Sequence, residues 1–170
     1  DAVYRFQGLP TDYYADWLQV AAEEAKHFGL LQARLGAAGF QYGDFPAHNG
    51  LWELAQLTAD DLVHRMALVP RVMEARGLDV TPGMIQRFQQ VGDTETAAVL
   101  KVILEDEIGH VAIGSRWFQY ACTTKDLDPE SHYLYLLKTD FQHLLRLPFH
   151  SEARLSAGFS QYELDQMTAL

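Results

Sequence analysis

Apolar residues recur at helical spacing along most of this chain, and alternation of apolar and polar residues never lasts more than a few positions. Tyr14, Trp17, Leu18, Ala21, Phe28, Leu31 and Leu35 share such a stripe and predict a helix over about 11–39. Thr11 or Asp12 would cap its start, after the stop at Gly8 and Pro10. Residues 1–8, "DAVYRFQG", read as the tail of an earlier helix, which implies that the protein extends upstream of Asp1. The Gly- and Pro-rich "GFQYGDFPAHNG" predicts a loop, followed by a short helix from Leu51 to Leu57. Thr58, with Asp61 three residues on, predicts a capped helix to about Arg76, giving a third helical region over 51–76 that Pro70 should kink. "GLDVTPG" reads as a turn, with a short helix near Met84 to Gln90. Asp93 should cap a long helix over about 93–125, with Ala97, Leu100, Ile103, Leu104, Val111, Trp117, Phe118 and Ala121 on its apolar stripe. Pro129 suits the first turn of a helix to about Arg146, and a short helix follows Ser160, so 129–170 is a set of C-terminal helices. The expectation is one all-α domain over 1–170, built as a helical bundle.

Composition narrows the partners. Of the 170 residues 48% are apolar, enough for a substantial core, and the formal net charge is −10. Such a surface repels phosphate backbones and anionic lipid, so neither nucleic acid nor membrane is expected as a partner. No apolar run approaches the roughly 20 residues of a membrane span. Cys122 is the only cysteine, which rules out an internal disulfide and suits a reducing, cytoplasmic setting.

Two stretches break the pattern. "EEAKH" at 23–27 and "DEIGH" at 106–110 place acids and a histidine on helix faces that are otherwise apolar. Residues three apart share a face, so Glu24 points with His27 and Glu107 with His110. With seven histidines in the chain, chance alone predicts fewer than about one Glu-x-x-His pair. A buried carboxylate without a partner would rather take up a proton, so something must compensate it. If the two pairs face each other, divalent metal ions supply the missing positive charge.

A two-metal site in a bundle takes a Glu-x-x-His from each of two helices and one Glu from each of two others. Glu74 continues the face of Val63, Met66 and Pro70 and is the preferred third carboxylate, with Glu53 as the fallback. Residues 1–8 offer only Asp1, which reads as a terminal surface residue, so either a further Glu lies upstream or another group or water fills the place. Glu23 and Asp106 each precede a motif Glu and suit acceptance of the free ring N–H of a ligand histidine on the neighbouring helix.

These residues resemble the ferritin-like superfamily of carboxylate-bridged di-metal proteins. More narrowly, "DAVYRFQGLP", "AAEEAKHFGLL", "YGDFPAHNGLWE", "MALVPRVMEARGLDVTPGMI", "ILEDEIGHVAIGSRWF" and "EARLSAGFS" resemble the bacterial DUF455 family. The resemblance implies a ferritin-like four-helix bundle with its first helix cut short and extra C-terminal helices. It implies metal ligands at Glu24, His27, Glu74, Glu107 and His110. His48, in "DFPAHNGLW", belongs to a family-like motif and could line the mouth of the site or add a ligand; loop histidines more often hold the loop itself. Tyr4, Tyr14 and Tyr120 read as packing residues and His64 as solvated; His132, His143 and His150 have no ligand-type spacing.

The oxygen and nitrogen donors suit two divalent ions, iron first, with manganese or zinc as alternatives. The function expected is an oxygen-activating oxidoreductase of hydroxylase or oxidase type. Its partners would be a small-molecule substrate, dioxygen or peroxide, an electron donor, and a second copy in a homodimer. An iron-handling protein without organic substrate is the alternative, and a metal-free helical scaffold the third.

Overall fold

In a computed structural model the chain is all-α, and the described residues contain no β-strand. The structure describes residues 1–170, with the side chain of Asp140 outside the description. The helices are α1 (Ala2–Arg5), α2 (Thr11–Ala37), α3 (Gly50–Leu57), α4 (Leu62–Leu68), α5 (Ala75–Gln90), α6 (Thr94–Thr123), α7 (Pro129–Leu136), α8 (Ser151–Ser156) and α9 (Gln161–Thr168). A π-helical stretch, Val69–Glu74, joins α4 directly to α5. Among the described residues, no helix is long and apolar enough to cross a membrane.

The expected turn at "GLDVTPG" is instead the middle of α5, which continues through Pro82 to Gln90. Packing overrides local propensity here: α5 lies along α6 and buries Ala75, Leu78 and Ile85, which offsets the hydrogen bond Pro82 cannot make. Pro70 does not merely kink its helix. The π-helical geometry there changes the hydrogen-bond register around a residue that lacks an N–H.

Two caps differ from expectation. Pro10, rather than Thr11 or Asp12, stands at the start of α2 and supplies no side-chain cap. Asp61, rather than Thr58, caps α4 by accepting from the N–H groups of Val63 and His64. Thr58 closes α3 instead, its hydroxyl donating to the Leu54 carbonyl at 2.8 Å. Asp93 caps α6 as expected, accepting from the Thr96 N–H at 2.9 Å. The helix expected over 129–146 changes character: α7 passes into a π-helical stretch, Leu137–Phe141, and a 3₁₀ turn, Gln142–Leu144.

The buried line of α2 is also offset from the expected stripe. Tyr13, Trp17, Val20 and His27 are buried, whereas Leu18, Phe28 and Leu31 are exposed. This helix is apolar on two faces, and only one meets α6. On α6 itself Ala97, Leu100, Val111, Trp117, Phe118 and Ala121 are all buried.

Gly114 lets α6 approach the π-helical stretch. A Cβ at Gly114 would lie 2.2 Å from Cβ and 2.4 Å from Cγ of Pro70, a rigid ring that cannot swing aside. Gly114→Ala is therefore expected to destabilise the fold by roughly 1–3 kcal/mol through overpacking, despite alanine's better helix propensity. Chemical denaturation checks this; unchanged stability would mean that the two helices separate freely.

Cys122 is buried and free. Burial pushes its thiol up to about 11, with Arg71 and Lys125 acting against the rise. Since the thiolate is the nucleophile, a disulfide reagent at neutral pH should leave native Cys122 unmodified and react fully after denaturation. Rapid labelling of the native protein would contradict this burial.

Two buried ion pairs tie the C-terminal helices to this scaffold. Arg71, in the π-helical stretch, donates from Nη2 to both carboxylate oxygens of Glu163 at 2.8 Å and lies over the Tyr133 ring at 4.0 Å. Arg154, in α8, forms a two-point pair with Asp79 of α5, at 2.9 and 2.6 Å.

Candidate metal centre

The long helices α2 and α6 pack together with their acid-rich motifs at the same level. Glu24, His27, Glu107 and His110 each present a ligand atom, and these atoms all lie within 4.8 Å of one another. Both imidazoles are buried; Glu107 is largely covered, and the Glu24 side chain is 50% exposed. The rings lie side by side, with centroids 5.6 Å apart.

The outward nitrogen of each ring is held by the opposite helix. His110 Nε2 on α6 donates to Glu23 Oε2 on α2 at 2.7 Å, and His27 Nε2 on α2 donates to Asp106 Oδ2 on α6 at 2.9 Å. A proton on Nε2 leaves Nδ1 of a neutral imidazole as the bare lone pair. Both Nδ1 atoms point into the cluster, are sealed from solvent and make no hydrogen bond. Around them stand carboxylates: Glu24 Oε1 is 3.6 Å from Nδ1 of His27 and 3.2 Å from that of His110. Glu107 straddles the two, with Oε1 3.7 Å from Nδ1 of His27 and Oε2 3.7 Å from Nδ1 of His110.

Glu74 is not one of the four clustered groups but lies beside them. It ends the π-helical stretch, and with Glu24, Glu107, Met73, Gly77 and Ile103 it lines a cavity of about 370 Å³. Its Oε2 is likewise sealed and without a partner. Burial, reinforced by the charges of Glu107 and Glu24, pushes its carboxyl up to about 8. Burial alone would lower His110, but the carboxylates of Glu107, Glu24 and Glu23 override it and raise the imidazole to about 10. Without a cation, the cluster thus holds protons in the place of positive charge. Unpartnered imidazole nitrogens and excess carboxylate fit a divalent ion, so this His/Glu cluster can hold a metal.

The other candidates lie elsewhere. Glu53 is exposed on α3 and does not line that cavity. The Asp1 carboxylate pairs with Arg65 at 2.6 Å and Arg5 at 2.7 Å. His48 is not among the clustered groups; its Nδ1 accepts from the Gly50 N–H at 3.0 Å. Its ring does line a second, largely apolar cavity of about 530 Å³, whose walls include Glu74. The Tyr4 side chain is exposed, Tyr14 accepts from the Leu9 N–H, and Tyr120 packs on Trp117. His64 is partly exposed beside Asp61, and His150 caps α8.

Two neighbours were not anticipated. Lys26 Nζ donates to Asp106 Oδ2 at 2.5 Å, so Asp106 serves a lysine and His27 with one oxygen. Gln19 Nε2 donates to Glu23 Oε1 at 3.2 Å. Lys26 first, then His27, holds the Asp106 carboxyl below its usual range. Gln19 first, then His110, does so for Glu23. The i,i+4 spacing of Gln19 and Glu23 was visible in the sequence; the contact of Lys26 across 80 residues was not.

Comparison with known proteins places these residues within a family. No solved structure matches the chain. A relative from Haemophilus influenzae, described as an uncharacterized protein, is 44% identical over 174 aligned positions. The alignment takes in 97% of this chain and 60% of the relative, so the chain spans well under two thirds of that protein's length. The family profile described as "Protein of unknown function (DUF455)" matches residues 1–165, nearly all of the chain, and by that match the chain belongs to the DUF455 family.

Proposed function

We propose that this chain is a ferritin-like di-metal carboxylate protein, an oxygen-activating oxidoreductase of hydroxylase or oxidase type with iron as its metal. One observation carries the reading: Glu107 sets one oxygen before each of two histidines whose buried Nδ1 atoms make no hydrogen bond, with Glu24 beside both. So placed, Glu107 would be able to serve two ions, each with its own imidazole. On this reading α2, the α4–α5 rod and α6 are helices of the bundle around the centre.

A bound pair of iron ions supplies redox chemistry toward dioxygen or peroxide. The protein does the rest. Glu107 and Glu24 would hold the ions between the helices, with His27 and His110 each supplying a nitrogen donor to one of them. Glu23 and Asp106 lock the ring orientation and tautomer of the histidines. Glu74, which shares a cavity wall with Glu24 and Glu107, would add a terminal carboxylate, neutral when no cation is near because burial disfavours its charge. The largely apolar cavity beside Glu74 suits a small substrate, which would enter past the loop carrying His48. An electron donor is the implied partner, and a cytoplasmic location with a homodimeric assembly completes the proposal.

The half-exposed Glu24 favours a second reading, in which ions pass through the centre and no organic substrate is involved. Anomalous scattering at the iron edge tests the main reading. It should place two ions between α2 and α6, each bonded to one Nδ1. Protein purified without bound iron, manganese or zinc, and unable to take any up, would leave only a metal-free scaffold. Steady turnover of a substrate, against accumulation of many iron atoms per chain, separates the two metal readings.

A further inference from the structure

The cross-helix arrangement looks symmetric, but its outer layer is not. The acid behind His110 is Glu23, whose only other side-chain hydrogen-bond partner among the described residues is the neutral amide of Gln19, at 3.2 Å on its other oxygen. The acid behind His27 is Asp106, and the same oxygen that receives His27 Nε2–H also receives the ammonium of Lys26, at 2.5 Å. A carboxylate behind a ligand imidazole pulls on its N–H and makes the far nitrogen a better donor. A cation on that carboxylate satisfies part of its charge and weakens the pull. Glu23 therefore strengthens His110 fully, and Asp106 strengthens His27 only in part.

We infer that Lys26 makes the two metal positions of this centre unequal, with the ion at His110 held tightly and the ion at His27 held loosely. This rests on the two-metal reading above. Lys26 is a positioning residue: it touches neither ion and acts through Asp106 and His27. The loose position is the one at which a metal ion exchanges, while the tight one keeps the helices together.

Anaerobic titration of the metal-free protein with cobalt(II), followed by calorimetry and visible absorption, reads both steps. The native protein should take up two ions in steps separated by more than two equal sites would show. Lys26→Gln should tighten the weaker step by about tenfold, the scale of such outer-layer changes, and leave the tighter one nearly unchanged. Gln19→Lys, which brings a cation to Glu23, should weaken the tighter step instead. His27→Ala should abolish the weaker step and spare the tighter. If Lys26→Gln moves both steps by the same factor, Lys26 acts only through overall charge and the inference fails, while the two-metal reading stands. It fails likewise if His27→Ala removes the tighter step. Uptake of a single ion by the native protein would overturn the two-metal reading and this inference with it.

Discussion

Glu107→Ala is expected to leave the purified protein with little or no bound metal. Glu107 sets a different oxygen before each histidine, so on the two-metal reading its loss removes a donor from each position at once. The loss should exceed the 10- to 100-fold cost typical of an outer-layer change, because a group aimed at the ions themselves is deleted. Metal content measured beside the native protein checks this; equal content would reject Glu107 as a ligand.

The same variant has a signature in the metal-free state. In the native apo-protein His110 sits at about 10 and Glu74 at about 8, both above their ordinary values. A group raised in the folded state binds more protons folded than unfolded between its two pKa values, so stability falls with pH across that interval. The His110 contribution is complete below about 6.5 and lost as pH rises through about 10; that of Glu74 is complete below about 4.5 and lost through about 8. The metal-free native protein should therefore melt at progressively lower temperature from pH 6.5 to 10. Glu107 is a leading cause of both shifts, so Glu107→Ala should flatten that slope. Parallel slopes in the two proteins would show that Glu107 does not set the charge of the cluster.

Arg154→Ala should be the most damaging change away from the centre. The Arg154 and Asp79 side chains are 2% and 3% exposed, and Asp79 also accepts from the His150 N–H at 2.8 Å. The guanidinium lies over the rings of Phe149 and Phe159, at 4.5 and 5.1 Å. Removing it strands a carboxylate in a dry interior, and breaking a buried pair in this way costs about 3–5 kcal/mol. For a chain of this size that is a fall of roughly 6–20 °C in Tm. Arg154→Met combined with Asp79→Leu should recover much of the loss, since two apolar residues leave no charge unpaired. A loss below about 1 kcal/mol in the single variant would mean that water reaches Asp79 after all.

How far the chain could be read in advance varies along its length. The α6 stripe was legible because Leu100, Val111, Trp117 and Phe118 lie on its one strongly apolar face. The α2 stripe was read only in part: Trp17 is buried as expected, while Leu18, Phe28 and Leu31 are exposed. Tyr14, Leu18, Phe28 and Leu31 are as apolar as the residues that are buried, and periodicity cannot choose between two apolar faces. The α5 helix was missed because Gly77, Pro82 and Gly83 all argue for a turn, and only burial against α6 outweighs them. Arg71 and Arg154 drew no notice in the sequence. An arginine at such a position is ordinarily solvated, and its acid lies 92 or 75 residues away.

The division has a physical cause. Residues three apart on one helix must share a face, so the sequence by itself determined that Glu24 goes with His27 and Glu107 with His110. It likewise determined the all-α class, through the spacing of apolar residues and the caps at Asp93 and Ser160. Only the tertiary structure decided that the two pairs meet within 4.8 Å and that both Nδ1 atoms turn inward. It also decided that Glu74 and not Glu53 stands beside them, and that Lys26 loads one half of the centre and not the other. These are contacts between helices, set by the packing of side chains distant in the chain, and no local spacing encodes them.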